Sequence, residues 1–517
     1  MESLNPDSKQ GKTSLYPTAS ALASDKSSFG AISPAHSFLK EPVLENIILP
    51  VLKSGYLTFA SLSSLVRSSP LFLVLWKHLV LLRDKDFSKL QTIDSSYDLQ
   101  ETIPQEKVTL FLACALHYNL DLASVIRYTG GNYTSAHTDI KSIVSRLQDL
   151  GFNPEVLAHL YRSRTVGCPA YFNAESTHDN FMAFLHYGNH STIKQHTSVV
   201  LKAMNKEVKH CHAIPFPRWI ARFCPNLHLT PQGILLKQAK KPRPIWDGSF
   251  LPHWWCQNIN SMQKPALSPD IVFGTALLNH LIRLYNLRIT YIDQDIWIWD
   301  DDVAGAYREP KYNPAVASAF AFAILDWLFL PTGGVFGSNT SPQEYEVYAR
   351  ARAFLAKSLS RKEDLVQKHS KILDLVQFDT EPHPDRVTFV QAKADLLNPG
   401  VLDPDTGLSV ETPHFPFVDD TLMADILKYI KNAMAASLES LYLTLGFPDE
   451  TKRRSPLSID KFYQAKCSWV KEQLGLIINT RDMTISLPQA KIDCLLKMVD
   501  TTWHSNRHLP SWRVQSF

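Results

Sequence analysis

Apolar and polar positions along this chain repeat at two different periods, and the change from one to the other divides it. Up to about residue 200 the period is helical: Ile140, Ile143, Val144, Leu147 and Leu150 recur at the helix interval, with Gly151 where a C-terminal cap belongs. Asn153 and Pro154 then restart a helix carrying Val156, Leu157, Leu160 and Tyr161. Beyond Pro215 short strand-like runs take over. Gly233 to Leu236 is one, and alternating Ile296, Trp297, Ile298 and Trp299 predict a buried strand that ends in Asp300, Asp301 and Asp302. Pro331 to Ser341 is glycine-rich loop, after which Ser341, Pro342 and Glu344 predict a capping box for a helix bearing Tyr345, Tyr348, Leu355 and Leu359. Ala424 to Leu445 predicts another helix, Leu474 to Ile478 a strand, and Met483, Ile485 and Leu487 its hairpin partner.

Other stretches carry weaker patterns. Residues 1–36 are Ser-rich and low in aromatics, which predicts disorder. Residues 360–412 are polar and proline-containing and read as an insertion with little core of its own. Gly130, Gly131, Asn132, Tyr133 and Thr134, and later His186 to His190, read as interhelical loops in preference to phosphate contacts.

Composition narrows the class. The 517 residues, 45% hydrophobic and 20% charged, suit a soluble globular protein of two to four domains. A net charge of +3 is too small to draw in a polyanion by itself, so any nucleic-acid contact has to come from local clusters. The seven cysteines are odd in number and lack CxxC pairs, which predicts reduced thiols in an intracellular protein. His210, Cys211, His212 and Cys224 fit no standard zinc spacing and read as ordinary core or surface residues. No secretory signal is present, and the apolar run Leu71 to Leu82 is broken by Lys77 and His78 and is shorter than the ~20 residues of a membrane span. The expected location is the cytoplasm, the nucleus or both.

The candidate chemistry centres on Phe417-Val418-Asp419-Asp420. Two adjacent acids among apolar, β-forming residues repel each other, and the expected geometry is two short strands with the carboxylates at the bend, neutralised by divalent cations. On the earlier strand, period-two geometry puts Asp300 and Asp302 on one face and Asp301 on the other, which leaves open which face supplies a ligand. Lys237, Lys240, Lys241 and Arg243 form a basic loop suited to a triphosphate or a strand backbone, and Gly333, Gly334 and Gly337 would let a base or sugar approach the main chain.

Taken in order, these motifs resemble the reverse transcriptase family, in particular the polymerases of gypsy and tyrosine-recombinase retrotransposons. The resemblance covers about residues 210–495. It is carried by Asp302-Val-Ala-Gly-Ala-Tyr307, Phe336-Gly-Ser-Asn-Thr-Ser-Pro342, Phe417-Val-Asp-Asp420, Leu445-Gly-Phe with Lys452, and the hairpin from Leu474 to Pro488; Lys241, Arg243 and Asp247 match the spacing of the fingers motif.

The resemblance implies an α+β right-hand polymerase: fingers at 205–300, palm at 300–480 with the insertion, a thumb remnant at 481–517, and a helical region of unassigned role at 37–204. It implies RNA-directed DNA synthesis by two-metal nucleotidyl transfer from a dNTP to a primer 3′-hydroxyl. Asp302, Asp419 and Asp420 would hold two Mg²⁺ ions, or Mn²⁺, and Lys452 would protonate pyrophosphate. Lys241, Arg243, Tyr307, Phe336 and Gly337 would bind the nucleotide, Tyr307 as a steric gate against a 2′-hydroxyl. Leu474 and Gly475 would touch the primer, and the partners would be an RNA or DNA template with its primer. Phe336, at a position that is Gln in retroviral relatives, favours the retrotransposon group. Little chain follows the hairpin, and no RNase H, integrase, protease or recombinase motif is evident. The alternative is a truncated, catalytically dead retroelement descendant that only binds nucleic acid.

Overall fold

The computed structural model of the protein describes residues 120–133, 140–169, 172, 176–210, 212–224, 227–236, 242–263, 275–360, 362, 364–379, 413–448 and 455–500, with isolated positions between 103 and 118. All lie in one unit, Lys85–Phe517. The expectations for residues 1–36, Lys241, Lys452, Cys211 and residues 380–412 fall outside the described residues.

The first described helix, Leu122–Tyr133, runs through Gly130 and Gly131, which therefore form no Gly-Gly turn. Two helices follow as their pattern predicts, α1 (Ile140–Asp149) and α2 (Pro154–Thr165). Gly151 reverses the chain with φ +79°, and the Asn153 side chain caps α2 by accepting from the Glu155 and Val156 amides at 2.9 and 3.3 Å. The run His186 to His190 is loop only from Gly188, because α-helix continues through Tyr187.

The strand region opens with β1 (Ala213–Pro217), then the hairpin of β2 (Gln232–Leu235) and β3 (Arg243–Trp246). Helix α3 (Thr275–Thr290) leads into β4 (Ile296–Asp302). A short pair, β5 (Phe322–Ile324) and β6 (Trp327–Pro331), joins β1 in the order β1-β6-β5. Its edge position explains how β1 tolerates Pro215, which has no amide to donate.

Helix α4 (Ser341–Leu359) corrects the expected capping box. The cap is Thr340; the Ser341 hydroxyl donates instead to the Val335 carbonyl at 2.9 Å, and Glu344 is buried, its carboxyl raised by burial and bonded to the Cys168 thiol. The loop carbonyl and the buried thiol compete successfully for the two groups that a box would pair. The first part of the expected insertion is also not coreless. Leu365, Leu373 and Val376 join the main apolar cluster, and Lys368 and His369 reach Glu439 at 2.8 and 2.9 Å.

The central sheet has the order β4-β8-β7, with β7 (His414–Phe417) and β8 (Asp420–Ile426) joined by a two-residue turn. Pairing with β4 extends β8 through Ala424, Asp425 and Ile426, so α5 (Leu427–Leu445) starts three residues later than its apolar pattern suggests. Both faces are covered. Trp297, Trp299 and Met423 pack with α1, α2, α4 and α5, while Ile296, Ile298 and Ala424 pack with Leu284 and Leu287 of α3 and with Ile478. Each fully buried large side chain contributes about 1.5–3 kcal/mol, which is why β4 reads as an unbroken apolar run.

After α5 come a short helix, α6 (Ile459–Gln464), and a meander of β9 (Val470–Gln473), β10 (Leu476–Asn479) and β11 (Thr484–Ser486). Leu474 and Gly475 form the β9–β10 turn, with φ +48° and +79°, and do not belong to a strand. No helix among the described residues is long and apolar enough to cross a membrane.

Asp301 is buried on the helix side of the sheet, where Arg352 of α4 and Ser437 of α5 both donate to its carboxylate, Ser437 at 2.7 Å. Removing one partner of a buried pair costs about 3–5 kcal/mol because the other charge is left uncompensated. Arg352→Ala should therefore lower the unfolding free energy measured by urea titration by an amount of that order.

Candidate active site

The register of the central sheet brings three of the predicted acids together. Asp302, the last residue of β4, pairs directly across from Asp420, the first of β8. Side chains so opposed have Cβ atoms about 4.5–5.5 Å apart on one face. Asp419 sits in the turn between Phe417 and Asp420, and its carbonyl accepts from the Val303 amide at 3.2 Å, which fastens the turn to the end of β4. The other turn residue, Val418, has φ +56°. A β-branched residue in that region costs on the order of 1–3 kcal/mol. Its side chain packs against the main apolar cluster, which holds the turn in place.

The neighbouring acids have other work. Asp301 is consumed by Arg352 and Ser437 in the core. Asp300 shares the face of Asp302 but is held by Lys471 of β9 at 2.8 Å. Strand periodicity leaves the three open and the family resemblance implies Asp302; in the fold their burial and partners differ, and Asp302 is the one paired with Asp420.

The site is electrostatically frustrated. Burial, then Asp419, Asp302 and Asp300, push the Asp420 carboxyl up to about 7, with Lys461 pulling the other way. Asp419 is also raised, first by burial and then by Asp302, against its own amide, Lys461 and Arg243. Lys461 of α6 donates directly to Asp302 Oδ1. Nothing in the motif spacing pointed to Lys461. The pattern around Phe462 hints at a short helix but not at what that helix touches.

Of the predicted nucleotide-binding residues, Arg243 on β3 is exposed and acts electrostatically on Asp419. Tyr307 lies on the same side. Burial and then Asp419 raise its phenol to about 12, and its ring packs on Phe336 with centroids 4.8 Å apart. Gly337 has φ +107°, and a Cβ there would lie 2.0 Å from the Trp246 carbonyl oxygen, so no other residue fits where this loop meets β3. Leu474 packs against the buried cluster of Ala276, Phe415 and Leu422, as Phe417 does, which places the β9–β10 turn near the acidic hairpin. A cleft of about 540 Å³ lined by Thr177, Asp179, His186, His253 and Trp255 shares none of these side chains.

Hard carboxylate oxygens, mutual repulsion and partial burial fit a divalent cation in kind and in charge. Among the described residues, however, no group of three or more His, Cys, Asp and Glu is gathered closely enough to hold a metal as it stands. Asp302 is turned to Lys461 instead.

Because Asp420 is raised in the fold to about 7 from an ordinary 3.8, the folded chain takes up a proton that the unfolded chain lacks between those values. Its contribution to stability is present in full below about pH 4 and is lost as pH rises through about 7. With chelator present, Asp420→Asn should raise the melting temperature relative to the parent at pH 8, and the gain should shrink at pH 5.

No protein-family model matches the chain, and no curated protein matches it in sequence. Among solved structures it is similar to the foamy viral protease-reverse transcriptase in complex with RNA/DNA hybrid, with a TM-score of 0.33, 11% identity, and 69% of this chain and 37% of that one covered. It is similar also to the native Prototype Foamy Virus protease-reverse transcriptase, with a TM-score of 0.32, 11% identity, and 67% and 34% covered. In the dsDNA complex of the dRH form the values are 0.32, 11%, 69% and 48%. The chain thus spans less than half the length of these three structures.

Proposed function

We propose that the protein is an RNA-directed DNA polymerase of retrotransposon type, joining a deoxynucleotide to a primer 3′-hydroxyl on a nucleic-acid template. The observation that carries this reading is the cross-strand pair Asp302–Asp420 with Asp419 in the adjoining turn. In this reading Asp302, Asp419 and Asp420 hold two divalent cations, which when bound supply an acidified 3′-hydroxyl and charge for the departing pyrophosphate. Arg243 contacts the triphosphate from the β2–β3 hairpin. Tyr307, braced by Phe336 and Tyr345, lies under the sugar and rejects a 2′-hydroxyl by bulk. The Leu474–Gly475 turn steadies the primer end from near the acidic hairpin. Lys241 and Lys452 keep the roles that the family resemblance implies.

A second reading, nucleic-acid binding without catalysis, is favoured by the ion pair of Lys461 with Asp302 and by the absence, among the described residues, of a gathered metal group. It predicts a gel shift with template-primer and no extension.

The polymerase reading predicts that purified protein extends a DNA primer on an RNA template with Mg²⁺ and dNTPs, and that Asp419→Asn reduces extension to background while template-primer binding persists. Undiminished extension by that variant would show that the acids are not the site. Tyr307→Ala should let ribonucleotides in, narrowing dNTP-over-rNTP discrimination by at least about tenfold; a single-nucleotide incorporation assay measures the ratio.

A further inference from the structure

The acidic face contains a cation of its own. Lys461 Nζ donates to Asp302 Oδ1, and the same ammonium lowers the carboxyls of both Asp419 and Asp420. Among the described residues, Lys461 is thus a cation that acts on all three acids. Its position is fixed by the chain on either side of it. The Ala304 amide donates to the Pro456 carbonyl at 2.8 Å and the Ser458 amide to the Asp302 carbonyl at 3.0 Å, so residues 456–458 run along the end of β4. One residue beyond the lysine, Phe462 is buried, its ring edge-on to Trp299 at 5.2 Å. Between these two anchors the Lys461 ammonium meets the Asp302 carboxylate, yet its side chain remains more than half exposed, at 56%. An ammonium on an exposed stem can leave.

We propose that Lys461 is a resident counter-ion that occupies the acidic face in the cation-free protein, competes with divalent cations for Asp302, and sets how tightly they load. The proposal rests on the polymerase reading above and goes beyond it by naming what regulates the site. With Lys461 on Asp302, two carboxylates remain for an arriving cation, and the third is released only when the ammonium swings away. Loading therefore has a threshold, lowered by anything that offers Lys461 another anion, such as the phosphates of a bound nucleotide. Lys471 cannot substitute, because it is held by Asp300 at 2.8 Å and by the Lys466 carbonyl at 3.0 Å.

The test is direct Mn²⁺ binding to the full-length protein without nucleotide, followed by loss of the free-ion electron paramagnetic resonance signal. Lys461→Met should bind Mn²⁺ about two- to fivefold more tightly than the parent, the factor expected on removing an exposed ion pair of ordinary strength. Lys461→Arg should bind like the parent, and Asp302→Asn combined with Lys461→Met should lose the gain. Equal or weaker binding by Lys461→Met overturns the proposal while leaving the polymerase reading intact. If neither the parent nor Lys461→Met binds Mn²⁺, both fall together. Because Lys461 is largely exposed, the methionine variant is expected to melt with the parent, which a thermal scan verifies.

Discussion

Like charges forced together at one end of an antiparallel sheet are the constraint on which this structure turns. Asp302, Asp419 and Asp420 converge because β4 and β8 pair in a register that sets the last residue of one against the first of the other. A slip of one residue would exchange the faces: Asp301 would meet Asp420, and Asp302 would turn toward the helices. The apolar residues of β4 prevent that slip. Trp297 and Trp299 are committed to the α4–α5 side and Ile296 and Ile298 to the α3 side, so any shift would strand four large side chains at once. The core therefore determines where the charges lie, against the mutual repulsion of the acids.

The repulsion is answered in three different ways within three consecutive residues. Asp301 is neutralised inside the core by Arg352 and a serine hydroxyl, Asp300 at the sheet edge by Lys471, and Asp302 by an exposed lysine on a short helix. The first is permanent, since both partners are buried. The last is the most easily undone, because its lysine is mostly in water. Within these three positions at the end of β4, the partners grade from fully buried at Asp301 to mostly exposed at Asp302.

Much of this organisation can be read from the chain. The buried strand before the three acids, the bend carrying Asp419 and Asp420, the Asn153 cap and the face alternation of Asp300, Asp301 and Asp302 all follow from local periodicity, and the structure contains each of them. Failures came where a distant partner overrode a local preference. Ala424 to Ile426 have helical spacing but are claimed by pairing to β4; Ser341 and Glu344 spell a capping box but are claimed by Val335 and Cys168. Leu474 and Gly475 look like strand residues, yet they form the β9–β10 turn with positive φ at both positions, as a type I′ hairpin requires.

By itself, the sequence determined which residues could be buried, where the strands and main helices fall, and that acids lie at the ends of two of those strands, because these depend on near neighbours in the chain. Only the tertiary structure decided that Asp302 meets Asp420 across the sheet, that Arg352 neutralises Asp301, and that Lys461 stands over the site. Those outcomes depend on groups 51 to 159 residues apart in the chain meeting across a folded core, and no local period encodes such a meeting.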